Sequence, residues 1–107
     1  MTTPTITAEE LAAKLKSGQS LVLLDVREPH ELEISKLDGI ISMPMATVTT
    51  RYEELDPNAE TVVICRSGNR SERVTDFLVE QGFTNVHNLA GGMNGWAATV
   101  DPRMTQY

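Results

Sequence analysis

The sequence predicts an α/β fold in which helices cover both faces of a central, mainly parallel sheet. Short apolar runs of the length of buried strands alternate along the chain with segments of helical periodicity. The 107 residues contain no linker, internal repeat or low-complexity segment, and 40% of them are apolar. We therefore expect one domain over residues 1–107, built around a single hydrophobic core.

The first half of the chain predicts a capped helix and two strands. Thr7 and Glu10 have the spacing of a capping box, and Gly18 marks the end of the helix that they begin. The elements that follow are a strand at Leu21–Val26, buried on both faces, a short helix at Pro29–Ile34 and a short strand at Gly39–Pro44.

The second half continues the alternation of helices and strands. The tail Asp101–Tyr107 has no periodicity, so we expect it to lie along the surface. The predicted elements before it are a weaker helix at Met45–Leu55, a turn at Asp56–Asn58, a buried strand at Thr61–Ile64, a helix at Ser71–Gln81, a strand at Asn85–Leu89 and a last helix from Ala90 to about Ala98.

Charge and composition restrict the possible partners and the compartment. The formal net charge of −6 argues against nucleic acid, because phosphate binding requires basic clusters. The apolar runs are far shorter than a membrane span, and the first residues lack the features of a signal peptide. One cysteine excludes an internal disulfide and favours a reducing, cytoplasmic location. We expect a monomer that binds neither nucleic acid nor membranes.

Cys65 is the candidate nucleophile because it directly follows the predicted strand Thr61–Ile64. Sites in parallel α/β sheets form at the carboxyl ends of strands. Gly68 and Asn69 tolerate the backbone conformations of a tight loop, so the amides of residues 66–71 can converge on the sulfur. These amides and the start of the next helix favour the thiolate, which is the reactive form of cysteine.

The charged residues near Cys65 suggest activation without a base. Arg66 and Arg70 flank the loop glycine and add positive charge, whereas Arg73 fits a solvated helix face equally well. A nucleophilic cysteine usually has a histidine nearby. Here His30 falls in a charged helical stretch and His87 in an edge-like strand, and both fit exposed or structural roles. A Cys-His hydrolase is therefore disfavoured.

The sequence also predicts no cofactor and no metal. One cysteine and two scattered histidines do not have the spacing of metal ligands. The glycine-rich segment Gly91–Gly95 lacks a nucleotide fingerprint and does not open a βαβ unit. It fits a tight turn into a packed helix, and Trp96 after it fits the core.

Three segments together resemble the signatures of the rhodanese-like sulfurtransferases and lie in the order of that family. The resemblance covers about residues 5–100 and implies a rhodanese-like fold with a five-stranded sheet. The tail Val100–Tyr107 is also similar to the end of rhodanese domains fused to ubiquitin-like sulfur-carrier activating enzymes. The three segments are Leu23–Pro29, Cys65–Ser71, and Gly82–Val86 followed by Leu89–Trp96.

The chain departs from the family in one segment. The family often has G-H-I-x-G-A before the third strand, where this chain has Ser35–Ile40. Lys36 stands at the position of the usual histidine. Since that position is structural or peripheral to the substrate in the family, the departure bears on substrate preference rather than on the chemistry.

The resemblance implies a transferase of the thiosulfate sulfurtransferase type. The Cys65 thiolate would attack the outer sulfur of a donor such as thiosulfate or a persulfide, and would hold that sulfur as a Cys65 persulfide. Arg66 and Arg70 would attract the anionic donor, and Arg70 would also fix the loop. Asp25 and Arg27 would form a structural ion pair at a strand end near the site. The implied active-site loop that holds the sulfur consists of Arg66, Ser67, Gly68, Asn69, Arg70 and Ser71.

The acceptor must come from outside the chain, because no second cysteine is present. It would be a thiol such as glutathione or thioredoxin, a partner protein, or cyanide in an assay.

Three alternatives remain. Related cell-cycle phosphatases place five residues between the cysteine and the arginine, whereas four separate Cys65 from Arg70. The shorter loop is a smaller cradle, which suits sulfur better than phosphate. A non-catalytic rhodanese binding module commonly loses the cysteine, which this chain keeps. The third alternative is a carrier of persulfide sulfur between proteins, with little thiosulfate activity.

Overall fold

The computed structural model describes residues 2–107. They contain one five-stranded sheet in which all neighbouring strands are parallel. The strand order is β1-β5-β4-β2-β3, so β4 lies at the centre. This sheet, with helices on both faces, confirms the predicted fold class. The strands are β1 at Thr5–Ile6, β2 at Val22–Asp25, β3 at Ile41–Ser42, β4 at Thr61–Ile64 and β5 at Val86–Leu89.

The helices divide between the two faces of the sheet, and each face has its own apolar cluster. Helices α1 and α5 pack on the face that carries Leu23, Val62 and Ile64, and α3 and α4 pack on the face that carries Leu24 and Val63. Consecutive strand residues point to opposite faces, which explains why β2 and β4 are apolar almost throughout. The helices are α1 at Ala8–Lys16, α2 at Pro29–Leu32, α3 at Val48–Arg51, α4 at Asn69–Glu80 and α5 at Gly92–Thr99.

The capping box at the start of α1 is present as predicted. The Glu10 amide donates to the Thr7 hydroxyl at 3.1 Å, and the Thr7 amide donates to the Glu10 carboxylate at 2.9 Å. Two amides that a helix start leaves unpaired are thereby satisfied. Within residues 2–107, no helix has the length and apolar character needed to cross a membrane.

The predicted helix at Met45–Leu55 is not continuous. Only Val48–Arg51 is α-helical, with a 3₁₀ turn on each side, at Met45–Thr47 and Tyr52–Glu54. The segment is rich in β-branched residues, which are poor helix formers. The hydroxyls of Thr47 and Thr50 also donate to carbonyl oxygens three residues earlier, at 2.7 and 3.0 Å.

Several short elements also differ from the prediction. Strand β3 has only Ile41–Ser42, α2 ends at Leu32 rather than at Ile34, and one further strand was not predicted. Strand β1 has only two residues, too few for a periodic signal, and it exists because it pairs with β5 at the edge of the sheet. Helix α4 begins at Asn69 rather than at Ser71, with Gly68 before it in a left-handed conformation at φ 103°. The Ser71 side chain therefore lies inside the first helical turn.

The carboxyl end of β2 carries a buried ion pair between Asp25 and Arg27, whose side chains are both 0% exposed. The guanidinium donates to both carboxylate oxygens, at 2.8–3.2 Å. Its remaining donors reach the carbonyl oxygens of Glu31 and Ser35 and the hydroxyl of Tyr107. The buried charge is therefore fully hydrogen-bonded, as burial requires.

We expect Asp25→Asn to lower the free energy of unfolding by about 3–5 kcal/mol, because the Arg27 charge would stay buried without its carboxylate. Urea denaturation of the full chain measures this loss. The matched control is Asp101→Asn, since Asp101 and Arg103 form the same pair at the same spacing, with Arg103 89% exposed. We expect the control to unfold like the unaltered protein. Equal losses in the two variants would contradict the structural importance of the buried pair.

Candidate active site

Cys65 lies directly after β4, at the carboxyl edge of the central strand of the sheet, and is 1% exposed. A loop of three residues, 66–68, separates it from the first residue of α4. The helix is twelve residues long and its first amides point back toward this loop. The sulfur is thereby placed at the positive end of a helix dipole.

The sulfur of Cys65 accepts two direct hydrogen bonds. The Gly68 amide donates to Sγ at 3.1 Å, and the Ser71 hydroxyl donates at 3.2 Å. Burial raises the pKa of the Cys65 thiol, but the Ser71 hydroxyl and the loop amides lower it by more, so the pKa lies below the ordinary thiol value. The site thus favours a thiolate without a histidine base.

Asn88 of β5 contacts the loop and the first turn of α4. Its side-chain amide donates to the Gly68 carbonyl at 3.2 Å, and its side-chain oxygen is a second acceptor for the one hydroxyl hydrogen of Ser71, alternative to the Cys65 sulfur. Asn88 is 6% exposed. Sequence reasoning missed this residue, because it placed Asn88 only within a short strand, and no local pattern connects it with Cys65.

The glycine-rich segment Gly91–Gly95 forms the start of α5 and contacts the backbone of the cysteine loop. The amides of Met93 and Asn94 donate to the carbonyl oxygens of Cys65 and Arg66, at 2.9 and 3.0 Å. Gly92 allows this approach, since a Cβ there would lie 2.6 Å from the Arg66 carbonyl group. The segment is thus a tight turn into a packed helix, as the sequence suggested.

The guanidinium of Arg70 forms an ion pair with a carboxylate. Its guanidinium donates to both carboxylate oxygens of Glu31, at 2.7 and 2.8 Å. The Arg70 guanidinium holds the pKa of Glu31 at about 2, with further support from the hydroxyl of Tyr107, although burial opposes the shift. The pair joins the first turn of α4 to α2 and so holds the loop in place.

Arg66 has a different environment. Its side chain is exposed, and it has no carboxylate partner in the part of the chain that the structure describes. The guanidinium carbon of Arg66 lies 5.0 Å from the centre of the Tyr107 ring. The charge of Arg66 is therefore available to an anion at the loop.

Tyr107 lies at the site, although the tail was expected only to follow the surface. Its hydroxyl donates to the Glu31 carboxylate at 2.6 Å and accepts from Arg27 at 3.0 Å. Burial, followed by the contact with Glu31, raises the pKa of Tyr107, which keeps the phenol protonated as a donor. The similarity of the tail to other rhodanese domains was the one signal in the sequence, but it indicated no contact.

The remaining candidates lie away from the sulfur. His30 is exposed on α2, and His87 is half-buried in β5 opposite Val62. Within residues 2–107, neither histidine is among the hydrogen-bond donors to the Cys65 sulfur. Lys36 is exposed and lines a surface groove of about 670 Å³ with Trp96 and residues 100–104.

The chain is similar to known proteins over most of its length. The rhodanese-like domain family matches residues 7–99. The chain is 37% identical over 98 residues to the putative sulfurtransferase YtwF of Bacillus subtilis, covering 92% of this chain and 94% of YtwF. A crystal structure of a rhodanese-related protein from Thermoplasma volcanium has a TM-score of 0.83 at 30% identity, covering 91% of this chain and 93% of that one. The chain belongs to the rhodanese-like domain family, which confirms the resemblance.

A longer relative is the putative sulfur carrier protein YrkF of Bacillus subtilis. The identity is 38% over 98 residues, covering 92% of this chain and 53% of YrkF. The chain spans between 25% and 53% of the length of the first three curated relatives that it matches. Sulfurtransferases and sulfur carriers are thus both among its relatives.

We expect Ser71→Ala to move the titration of Cys65 to higher pH, because the thiolate loses a hydrogen bond from a hydroxyl. At the pH where half of the wild-type Cys65 is thiolate, the variant should retain about a tenth or less. Thiolate absorbance in the ultraviolet measures this directly, since Cys65 is the only cysteine and Cys65→Ala supplies the blank.

Ser67→Ala is the matched control for Ser71→Ala. Ser67 is exposed and favours the thiolate through its backbone amide, which the substitution retains. We expect its titration to match that of the wild type. If Cys65 in Ser71→Ala titrated with the same midpoint pH as in the wild type, the hydroxyl would not stabilise the thiolate.

Proposed function

We propose that the chain is a sulfurtransferase that carries sulfane sulfur as a persulfide on Cys65. The observation that carries this proposal is the set of donors on the sulfur, namely the Gly68 amide and the Ser71 hydroxyl at the start of α4. They stabilise an anionic sulfur and supply no base for hydrolysis. Membership of the rhodanese-like family and similarity to a putative sulfurtransferase support the same conclusion.

The first half-reaction loads the cysteine. The Cys65 thiolate attacks the outer sulfur of thiosulfate and forms an S–S bond to it. The S–S bond of thiosulfate breaks, and sulfite leaves with the electron pair. The product is a persulfide whose negative charge lies mainly on the outer sulfur, and the amides of Ser67, Gly68 and Ser71 that favour the Sγ thiolate would stabilise it.

The second half-reaction unloads the cysteine. A thiolate acceptor such as glutathione or thioredoxin, or cyanide in an assay, attacks the outer sulfur. The bond between that sulfur and Sγ breaks, and its electron pair restores the Cys65 thiolate. The acceptor comes from outside, since Cys65 is the only cysteine of the chain.

The two loop arginines have separate roles in this reaction. Arg66 is exposed and has no carboxylate partner among residues 2–107, so it recruits the anionic donor. Arg70 is paired with Glu31 and holds the loop against α2. The direct hydrogen bonds to the sulfur come from the Gly68 amide and the Ser71 hydroxyl.

Treatment with thiosulfate should increase the intact mass of the protein by one sulfur atom, because Cys65 takes the outer sulfur and sulfite departs. Addition of a thiol should remove the added mass. Cys65→Ala should gain no mass, and Cys65→Ser should lose all thiosulfate:cyanide activity. Intact-protein mass spectrometry and a thiocyanate assay measure the two outcomes.

Full thiosulfate:cyanide activity in Cys65→Ser would contradict the mechanism. The absence of any added sulfur, with either thiosulfate or a persulfide donor, would instead favour a non-catalytic binding module. Turnover of an aryl phosphate without sulfur transfer would favour a phosphatase, which the four-residue spacing between Cys65 and Arg70 opposes.

A second candidate function is the transfer of persulfide sulfur between proteins. The similarity to the putative sulfur carrier protein YrkF favours it. The two functions share the Cys65 persulfide and differ in the donor. We expect a carrier to load faster from the persulfide of a cysteine desulfurase than from thiosulfate, and a thiosulfate sulfurtransferase to show the reverse. Rates of mass gain from each donor, measured at equal concentrations, separate them.

A further inference from the structure

The tail after α5 ends at the active site, where Asn94 holds it by the backbone. Thr105 and Gln106 are exposed, whereas Tyr107 is half-buried. The Tyr107 amide donates to the Asn94 side-chain oxygen at 3.0 Å, and the Asn94 side-chain amide donates to the Tyr107 carbonyl at 3.2 Å. The backbone amide of Asn94 donates to the carbonyl of Arg66 at 3.0 Å. One residue of α5 thus joins the tail to the cysteine loop.

The phenol of Tyr107 fixes the orientation of its ring. Its hydroxyl accepts from Arg27 at 3.0 Å and donates to Glu31 at 2.6 Å. Arg27 is fully buried and Glu31 is 6% exposed, so both partners are held by the fold. With the backbone clamped by Asn94 and the hydroxyl held at the other end, the ring has little freedom to move.

Arg66 lies over this fixed ring, with its guanidinium carbon 5.0 Å from the ring centre. That distance is within the range of a cation–π interaction. A guanidinium that rests a face on a ring keeps the N–H donors at its edge free for an anion. The contact also orders a long, flexible side chain before a ligand arrives, which reduces the entropy cost of binding.

Of the three arginines Arg27, Arg66 and Arg70, only Arg66 has no carboxylate partner within residues 2–107, so its charge is available to a ligand. Arg27 is paired with Asp25, and Arg70 with Glu31. Resting on the proposed function, we propose that Tyr107 is a positioning residue that holds Arg66 at the entrance of the Cys65 site and thereby sets the affinity for an anionic sulfur donor. Tyr107 itself touches neither the sulfur nor the donor.

The test measures binding of thiosulfate to the full chain carrying Cys65→Ala, in which no sulfur can be transferred. We expect Tyr107→Leu to raise the dissociation constant about two- to fivefold, the value of a cation–π contact at an exposed site. Tyr107→Phe loses the hydroxyl contacts but keeps the ring and both Asn94 hydrogen bonds to the backbone, so it should bind within a factor of about two of the parent. Isothermal titration calorimetry at low ionic strength gives the constants.

A double-mutant cycle with Arg66→Leu decides between positioning and a general structural effect. We expect Tyr107→Leu to change the dissociation constant no further once Arg66 is replaced. If the two substitutions raised the dissociation constant by independent factors that multiply in the double variant, the proposal would be overturned. Equal losses in Tyr107→Phe and Tyr107→Leu would also overturn it, because the phenol hydroxyl rather than the ring would then determine binding.

With Cys65 present, the steady-state kinetics provide a second readout. Tyr107→Leu should raise KM for thiosulfate two- to fivefold and leave kcat unchanged, whereas a general loss of structure would lower kcat as well. A chain that gains no sulfur mass would refute the proposed function. The calorimetric cycle in the Cys65→Ala background would still decide whether Tyr107 positions Arg66.

Discussion

The geometry of the site depends on the hydrogen bonds that the buried guanidinium of Arg27 makes. A guanidinium that is fully buried is tolerated only where its donors find acceptors, and these acceptors come from three parts of the chain. Asp25 lies at the end of β2, the carbonyls of Glu31 and Ser35 lie in and after α2, and Tyr107 lies in the tail. The three parts therefore meet around the guanidinium of Arg27. Through Glu31 and its pair with the first turn of α4, the same network reaches the cysteine loop.

In this network, full charges and dipoles contact different groups. Arg70 is bound to Glu31, so the sulfur is surrounded mainly by amide and hydroxyl donors. Under the proposed function, the negative charge moves from Sγ to the outer sulfur and back in each cycle. Several dipoles directed at the loop stabilise both positions, whereas a single ion pair at Sγ would favour only one. Arg66 is exposed and has no carboxylate partner among residues 2–107, so under the proposed function it would attract an anionic donor to a chain of net charge −6.

The parts of the structure that the sequence predicted are those with local signals. The capping box at Thr7, the apolar run of β4 and the position of Cys65 after it all depend on residues close in sequence. The unpredicted contacts of the site join distant residues, since Tyr107 and Arg27 are 80 positions apart, and Arg70 and Glu31 are 39 apart. No spacing rule covers such pairs. Strand β1 could not be read from its own two residues, because its partner is β5; the family resemblance alone supplied the fifth strand.

Under the proposed function, the hydroxyl of Ser71 explains how the loop can keep one shape through the reaction cycle. It has one hydrogen and two acceptors, the Cys65 sulfur and the side-chain oxygen of Asn88. Asn88 cannot exchange its oxygen and nitrogen, because its side-chain amide must donate to the Gly68 carbonyl. The hydroxyl is therefore satisfied whether it turns toward a thiolate or, when Sγ has given up its charge, toward the asparagine. A buried donor that always has an acceptor carries no desolvation penalty in either state, so the sulfur can change its charge without the loop being rebuilt.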